Sequence, residues 1–290
     1  KIGVLTNTGT TSKRVAEKFN FQFCASNETD ILEGETNTIF IATRHDTHGK
    51  YVLKSLLANK NVFVEKPLCL KEAEMESIIE AKNKVQKSVM VGFNRRFSPL
   101  TKKLKKAMGN NIMTMLYRVN AGSIPADNWI QDLEIGGGRI LGEVCHFIDF
   151  FTFVSGSYPT KISAVSLTDQ NNLNDTVNIL IKFKNGSTGV IGYYANGGKS
   201  MPKEYIEIFS CGQSAILNDF KELRIYGKGK PKNIKLFNQN KGQKEMIEAF
   251  IDCLLKDGGS PISFDEIISV TKASFKVLDS IKRNGEQVEI

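Results

Sequence analysis

Short apolar runs separated by amphipathic stretches organise the first third of the chain. "KIGVL" (1–5) reads as a short buried strand, and "FQFC" (21–24), "NTIFIAT" (37–43), "NVFVEK" (61–66) and "SVMVGF" (88–93) as further strands. Between them the pattern predicts a helix from about Ser12, a second over "HGKYVLKSLLAN" (48–59) and a third from Lys71 to about Val85. In the second, Tyr51, Val52, Leu53, Leu56 and Leu57 make the apolar stripe. Strands that alternate with helices imply parallel βαβ units.

After about Phe97 the pattern changes. A helix in "SPLTKKLKKAM" (98–108) leads to a strand in "IMTMLYRVNAG" (112–122), and a polar loop then reaches "GGGRILGEVCHFIDFFTFVSG" (136–156), whose spacing fits a buried helix. Strands follow at "KISAVSLT", "DTVNILIKF", "TGVIGYYAN", "EYIEIFSC", "SAILND" and "ELRIYG", with a hairpin at "KNGS" (184–187). Two helices, about 242–256 and 264–283, close the chain, and neither repeats nor a low-complexity linker interrupt it. The expectation is a Rossmann-type α/β domain over 1–97, then an α+β domain over 98–290 with a mainly antiparallel sheet and helices on one face.

Composition narrows the function classes. The chain has 290 residues, 41% apolar and 24% charged, as ordinary globular proteins do. It has no run of about 18 apolar residues to span a membrane and no signal-peptide pattern at its start. Five cysteines (24, 69, 145, 211 and 253) are scattered without a CxxC pair, which suits reduced thiols in a cytoplasmic protein. Of the three histidines, His45 and His48 flank Asp46, a polar helix start rather than a metal site. The net charge of +8 permits an acidic partner. Its densest patch, "TKKLKKAMG", places Lys102, Lys103, Lys105 and Lys106 on the outer face of a short helix, read as a solvated face rather than a nucleic-acid surface.

Two stretches carry candidate chemistry. Ligands of parallel sheets bind beyond the carboxyl ends of the strands. "IFIATRHDTH" and "NVFVEKP" therefore line up Thr43, Arg44, His45, Glu65 and Lys66 along one crevice, with Pro67 stopping the strand and fixing the backbone that aims Lys66. A lysine at a strand end is also commonplace on surfaces, so this tripeptide alone proves little. In "NWIQDLEIGGGRILGEVCHFID" three glycines precede a helix on which Glu143, His146 and Asp149 recur every third residue. A histidine beside carboxylates moves protons near neutral pH, and it is equally at home as a satisfied helix residue. Cys145, beside His146, points elsewhere and reads as core.

Taken in order, "FVEKP", "VGFNRRFSP" and "NWIQDLEIGGG...HFID" resemble the Gfo/Idh/MocA oxidoreductases, the glucose–fructose oxidoreductase and inositol dehydrogenase group, over nearly the whole chain. The resemblance implies a Rossmann domain joined to an open-faced sheet domain whose open face makes homodimers or homotetramers. It implies NAD(P)-dependent hydride transfer to or from a sugar, inositol or sugar nucleotide. Lys66 would stand beside the nicotinamide and the reacting carbon, and His146 would carry the proton. Thr43 and His48 match the family's "TPNxxH" cofactor segment. Asn94, Arg96, Trp129 and Asp149 would face the substrate.

Three departures qualify it. The family's "GGGxxxDxxxH" has an Asp where this chain has Gly142. Glu143 is the candidate replacement, though it is rotated by about 100° around the helix. This variant is similar to a subgroup that includes domains fused to zinc-type alcohol dehydrogenases. Second, Arg44 and His45 stand in place of the Pro-Asn of "TPNxxH". Third, no GxGxxG turn occurs near the start, so "KIGVL" reads as the family's second strand. On that reading the polypeptide is a truncated product, a piece of a fusion or an expression artefact, and cofactor binding by this chain is in question. Thr6, Asn7, Ser12, Lys13 and Arg14 at the next strand end offer no acid for a ribose. They suit the 2′-phosphate of NADP, or form an ordinary polar loop before a basic helix. The rival to an enzyme is a catalytically silent binding or assembly module of the same descent.

Overall fold

The carboxyl ends of three short parallel strands decide where the chemistry lies. The structure, a computed structural model, describes residues 1–168, 173–256 and 259–290. Its first half runs β1 (Gly3–Val4), α1 (Gly9–Phe19), β2 (Phe23–Cys24), α2 (Glu28–Leu32), β3 (Thr38–Ile41), α3 (His48–Leu57), β4 (Asn61–Val64), α4 (Glu72–Lys84) and β5 (Val89–Val91). The parallel strands fall in two pieces: β1 pairs only with β2, while β3, β4 and β5 form a separate ladder. Ile41, Val64 and Val91 share one register row, so the polar residues after each emerge along one edge.

Helix α1 starts earlier than the apolar period suggests, because Thr8 caps it by accepting from the Thr11 amide at 3.3 Å. Helix α2 escapes the pattern altogether. It has five residues and is held by a capping box between Asn27 and Asp30.

The second half follows as α5 (Pro99–Met108), β6 (Thr114–Asn120), a π-helical turn (Ile140–Val144), α6 (Cys145–Ser155), β7 (Pro159–Ser166), β8 (Val177–Phe183) and β9 (Thr188–Tyr194). It continues with β10 (Glu204–Ser210), β11 (Gln213–Asn218), β12 (Glu222–Tyr226), β13 (Lys232–Lys235), α7 (Gln243–Leu255), α8 (Phe264–Lys282) and β14 (Val288–Glu289). Among the described residues the sheet order is β13-β12-β11-β10-β6-β9-β8-β7-β14. Only β6 and β9 run parallel; the other neighbours are antiparallel. Strand β8 shows the two faces: Val177, Ile179, Ile181 and Phe183 are buried and Leu180 is exposed. The covered face meets α6 and α8, where Tyr117 packs on Phe147 and Phe150 with ring centroids 4.8 and 5.3 Å apart. The opposite face carries Leu116, Val190 and Leu180 across β6, β9 and β8 in one row. No described helix is long and apolar enough to cross a membrane.

Where the halves join, residues 94–97 form a buried turn. Arg95 donates from Nε and NH2 to Glu204 at 2.7 and 3.0 Å, and Lys241 Nζ reaches the same carboxylate at 2.6 Å. Tyr117 donates its hydroxyl to it as well. This network ties the turn to the sheet and holds the crevice between them.

Candidate active site

Lys66 leaves the end of β4 and turns toward the second half of the chain. Its Nζ donates to the carbonyl of Gly142 at 2.7 Å, so the "EKP" and "GGG" stretches meet. Gly142 and Glu143 lie in the π-helical turn that precedes α6. Such turns recur at functional sites because they break the regular ladder. The glycines before it are required by space and backbone. A side chain on Gly136 would lie 2.4 Å from the Ile130 backbone, and Gly137 and Gly138 have φ of +72° and +73°.

His146 sits one turn into this helical stretch, 7% exposed, with its edge toward Phe93. Its Nδ1 is buried and has no partner among the described residues. Burial pushes its pKa well below the ordinary histidine value, and Arg95, Lys66, Lys203 and Lys241 push the same way, so the ring is neutral. Glu143 receives Arg139 NH2 at 3.5 Å and Lys203 Nζ at 3.4 Å. Burial alone would raise its pKa, but Lys203 and Arg139 outweigh it and hold the carboxylate ionised. Tyr193 lies beside it, its hydroxyl raised by burial and by that charge. Arg139 also faces Asp175 at 3.8 Å. Arg139, Lys203 and Asp175 were not foreseen from the sequence. The i,i+4 spacing of Arg139 and Glu143 is the one signal that could have found any of them.

On the nucleotide side, His45 directs Nδ1 to the Gly136 carbonyl at 2.8 Å and meets the Trp129 ring edge-on at 4.9 Å. Arg44 lies over the same Trp129 ring, 5.6 Å from its centroid. Trp129 therefore rests against the cofactor-side loop, where a direct substrate contact was expected. His48 is fully buried: Nδ1 donates to the Pro67 carbonyl at 2.7 Å and Nε2 lies 3.2 Å from the Thr43 carbonyl. It staples the two crevice loops together from behind, so the expected direct cofactor contact gives way to a positioning one. Thr43 accepts a hydrogen bond from the Thr47 hydroxyl at 2.6 Å. Burial raises the Glu65 pKa against the pull of Lys66.

Four further expectations change. Arg96 and Asp149 are spent on each other: the guanidinium binds the carboxylate from Nε at 3.1 Å and also reaches Glu266 at 3.3 Å, all inside the helical layer. Burial, not a site, explains these charges. Asn94 donates to the Lys241 carbonyl at 2.8 Å and so fastens the junction. Ser12 is buried beneath its own loop, accepting from the Thr6 amide at 2.9 Å. Asn7, Lys13 and Arg14 are exposed.

The residues at the reacting end fit a nicotinamide cofactor and an alcohol. Lys66 Nζ rests on the Gly142 carbonyl at the strand edge where such ligands bind, and His146 follows four residues later in the same helical stretch. Comparison with known proteins agrees. Residues 1–93 match the family described as an oxidoreductase family with an NAD-binding Rossmann fold, and residues 111–210 match the GFO/IDH/MocA C-terminal domain. Myo-inositol 2-dehydrogenase of Thermotoga maritima is 27% identical over 187 residues, 62% of this chain and 56% of that protein. The chain thus spans about half the length of the curated relatives it matches. The crystal structure of an oxidoreductase domain protein from Kribbella flavida superposes with a TM-score of 0.88 at 18% identity, covering 100% of this chain and 90% of that one. A levoglucosan dehydrogenase in complex with NADH and levoglucosan gives 0.87 at 20% identity, covering 99% and 89%. At these identities the two structures establish the fold.

Proposed function

Since this chain belongs to the Gfo/Idh/MocA oxidoreductase family, we propose that it serves an NAD(P)-dependent oxidoreductase acting on the CH–OH group of a sugar, inositol or sugar nucleotide. The observation that carries this reading is Lys66 Nζ docked at 2.7 Å on the carbonyl of Gly142, four residues before His146 in the same helical stretch. The nicotinamide, when bound, supplies hydride acceptance or donation. Lys66 stabilises negative charge on the substrate oxygen, which a partly buried ammonium does far better than water. His146, neutral at working pH, takes the proton of the hydroxyl in oxidation and returns it in reduction. Glu143, held ionised by Arg139 and Lys203, sets the local charge balance around both.

Thr43, Arg44 and the backbone at Glu65–Lys66 line the cofactor side of the crevice, and Lys13 with Arg14 favours the 2′-phosphate of NADP. The row of Leu116, Val190 and Leu180 on the uncovered face supports self-association into a dimer or tetramer.

Nicotinamide fluorescence on titration with NADH and NADPH, followed by turnover with a polyol panel, tests the reading. Lys66→Ala is expected to lower kcat at least about 100-fold with the fold intact. Turnover close to the parent value refutes the role given to Lys66. Cofactor binding without turnover of any polyol favours the silent binding module instead.

A further inference from the structure

Two of the positions that depart from the family motifs, His45 and Gly142, adjoin. A Cβ built on Gly142 would stand 3.0 Å from His45 Cε1 and 3.4 Å from its Nδ1, and the next nearest atom is the Gly136 carbonyl oxygen at 3.8 Å. Gly142 has no left-handed backbone to demand glycine. A Cβ there presses on the imidazole, so a side chain at 142 requires the ring to give by a few tenths of an ångström. His45 therefore occupies the space that a residue at 142 would use, and Lys66 is docked on the carbonyl of that same Gly142.

The ring is held from several sides. Gly136 O receives Nδ1–H at 2.8 Å, which fixes the tautomer with Nε2 as acceptor. Trp129 bears on the ring edge at 4.9 Å and His48 lies 5.6 Å away. Nε2 has no partner among the described residues and is not among the unpaired polar atoms sealed from solvent, so it opens to the crevice. An acceptor must be neutral to work. Burial drives the His45 pKa down to about 4, with Lys66 and His48 adding to the fall and the Gly136 bond and Asp46 opposing it.

Building on the oxidoreductase reading above, we infer that His45 is a substrate-positioning residue whose Nε2 accepts a hydrogen bond from a substrate hydroxyl beside Lys66, in place of the carboxylate that the motif puts at 142. The single step is hydrogen bonding, with no proton lost by the ring. Oxygen-rich polyols and sugars supply such a hydroxyl next to the reacting carbon.

Three proteins decide it: His45→Ala, Gly142→Asp, and the exchange His45→Ala/Gly142→Asp. His45→Ala should leave NADH affinity within about 2-fold and lower kcat/KM about 10- to 100-fold, mainly through KM. Gly142→Asp alone should be worse, since its side chain meets the ring. The exchange should recover at least about 10-fold over His45→Ala, because the carboxylate enters the vacated space and accepts the same hydroxyl. An unchanged kcat/KM in His45→Ala, or an equal loss of NADH affinity, or an exchange variant that binds NADH but recovers nothing, overturns the inference.

Histidine-ring NMR separates this inference from the dehydrogenase reading. The chain has only three histidines, so single substitutions assign the spectrum. If none of myo-inositol, glucose and UDP-N-acetylglucosamine is turned over, the dehydrogenase reading fails and the ring spectrum alone decides the role of His45. A neutral Nδ1–H ring at pH 7 whose Nε2 resonance moves with one of these ligands upholds it. The opposite tautomer, a charged ring, or an Nε2 unmoved by all three defeats it.

Discussion

Glu204→Gln should unseat the junction between the two halves, and the size of the effect follows from what the carboxylate holds. Glu204 is fully buried on β10 and accepts from Arg95 at 2.7 and 3.0 Å, from Lys241 at 2.6 Å and from Tyr117. Burial by itself would raise its pKa. Arg95 and then Lys241 more than reverse that, bringing it to about 2 from an ordinary 4.5. A fall of that size corresponds to roughly 3 kcal/mol of stabilisation of the charged form. Removing one partner of a buried pair independently costs about 3–5 kcal/mol, because the remaining cations are left without a counter-charge.

The glutamine variant keeps the shape, loses the charge and strands both Arg95 and Lys241. Thermal unfolding followed by circular dichroism should show a fall of roughly 6–20 °C, at about 2–4 °C per kcal/mol. The pH dependence carries the sign. The folded-state pKa lies below the unfolded one, so the stabilisation is complete above about pH 4.5 and disappears as the pH drops toward 2. The gap between parent and variant must therefore close in acid. A melting point within about 2 °C of the parent at pH 7, or a gap that persists undiminished at pH 3, would sink the argument that this carboxylate pins the junction.

Four other outcomes are expected. Gly137→Ala forces an alanine to φ +72° with its Cβ 2.4 Å from Leu70, and should lower the melting point by several degrees. Gly9→Ala, with nothing within 4 Å at the start of α1, should instead stabilise by about 0.4–1 kcal/mol, so equal effects of the two would discredit the reading of the glycines. Leu180→Glu places a charge on the uncovered sheet face and should reduce any oligomer to monomer in sedimentation velocity; an unaltered assembly moves the interface elsewhere. Lys13→Ala/Arg14→Ala should weaken NADPH at least about 10-fold while sparing NADH, and equal losses would remove the case for a 2′-phosphate site.

Hydrophobic period carried most of the architecture because both halves depend on it. Strands β4 and β5 are largely buried apolar runs bounded by polar residues, β3 is an apolar run with Phe40 exposed, and β8 alternates strictly between faces. What escaped were elements without a period of their own: the five-residue α2, the polar β13 and the two-residue β14, held by caps or by pairing. At the site, the motifs put Lys66 at a strand end and His146 on a helix, and the structure has both at those positions. Arg96 and Asp149, expected to face a substrate, pair with each other in the structure. A charged pair reads the same in sequence whether it faces a ligand or another charge, and only burial shows that these two face each other. Lys203 came from a loop about 60 residues from its partner Glu143, a distance at which spacing carries no signal.

The "VFVEKP" stretch places an ammonium at the end of an apolar strand, where an unmatched charge would be costly. Gly142 removes that cost by giving its carbonyl to Lys66, and its lack of a side chain eases the fit against the His45 ring. His45 in turn is fixed by Gly136, whose tight contact with Ile130 depends on being glycine. The lysine motif, the altered "TRHDTH" segment and the glycine run are therefore one device rather than three signals. Read singly, Gly142 looks like a lost carboxylate and His45 like a lost asparagine. In contact, each bears on the other: a histidine at 45 leaves little room for a side chain at 142, and a glycine at 142 leaves room for the ring beside Lys66. A substitution at either position alone should therefore disturb this crevice more than changing both together.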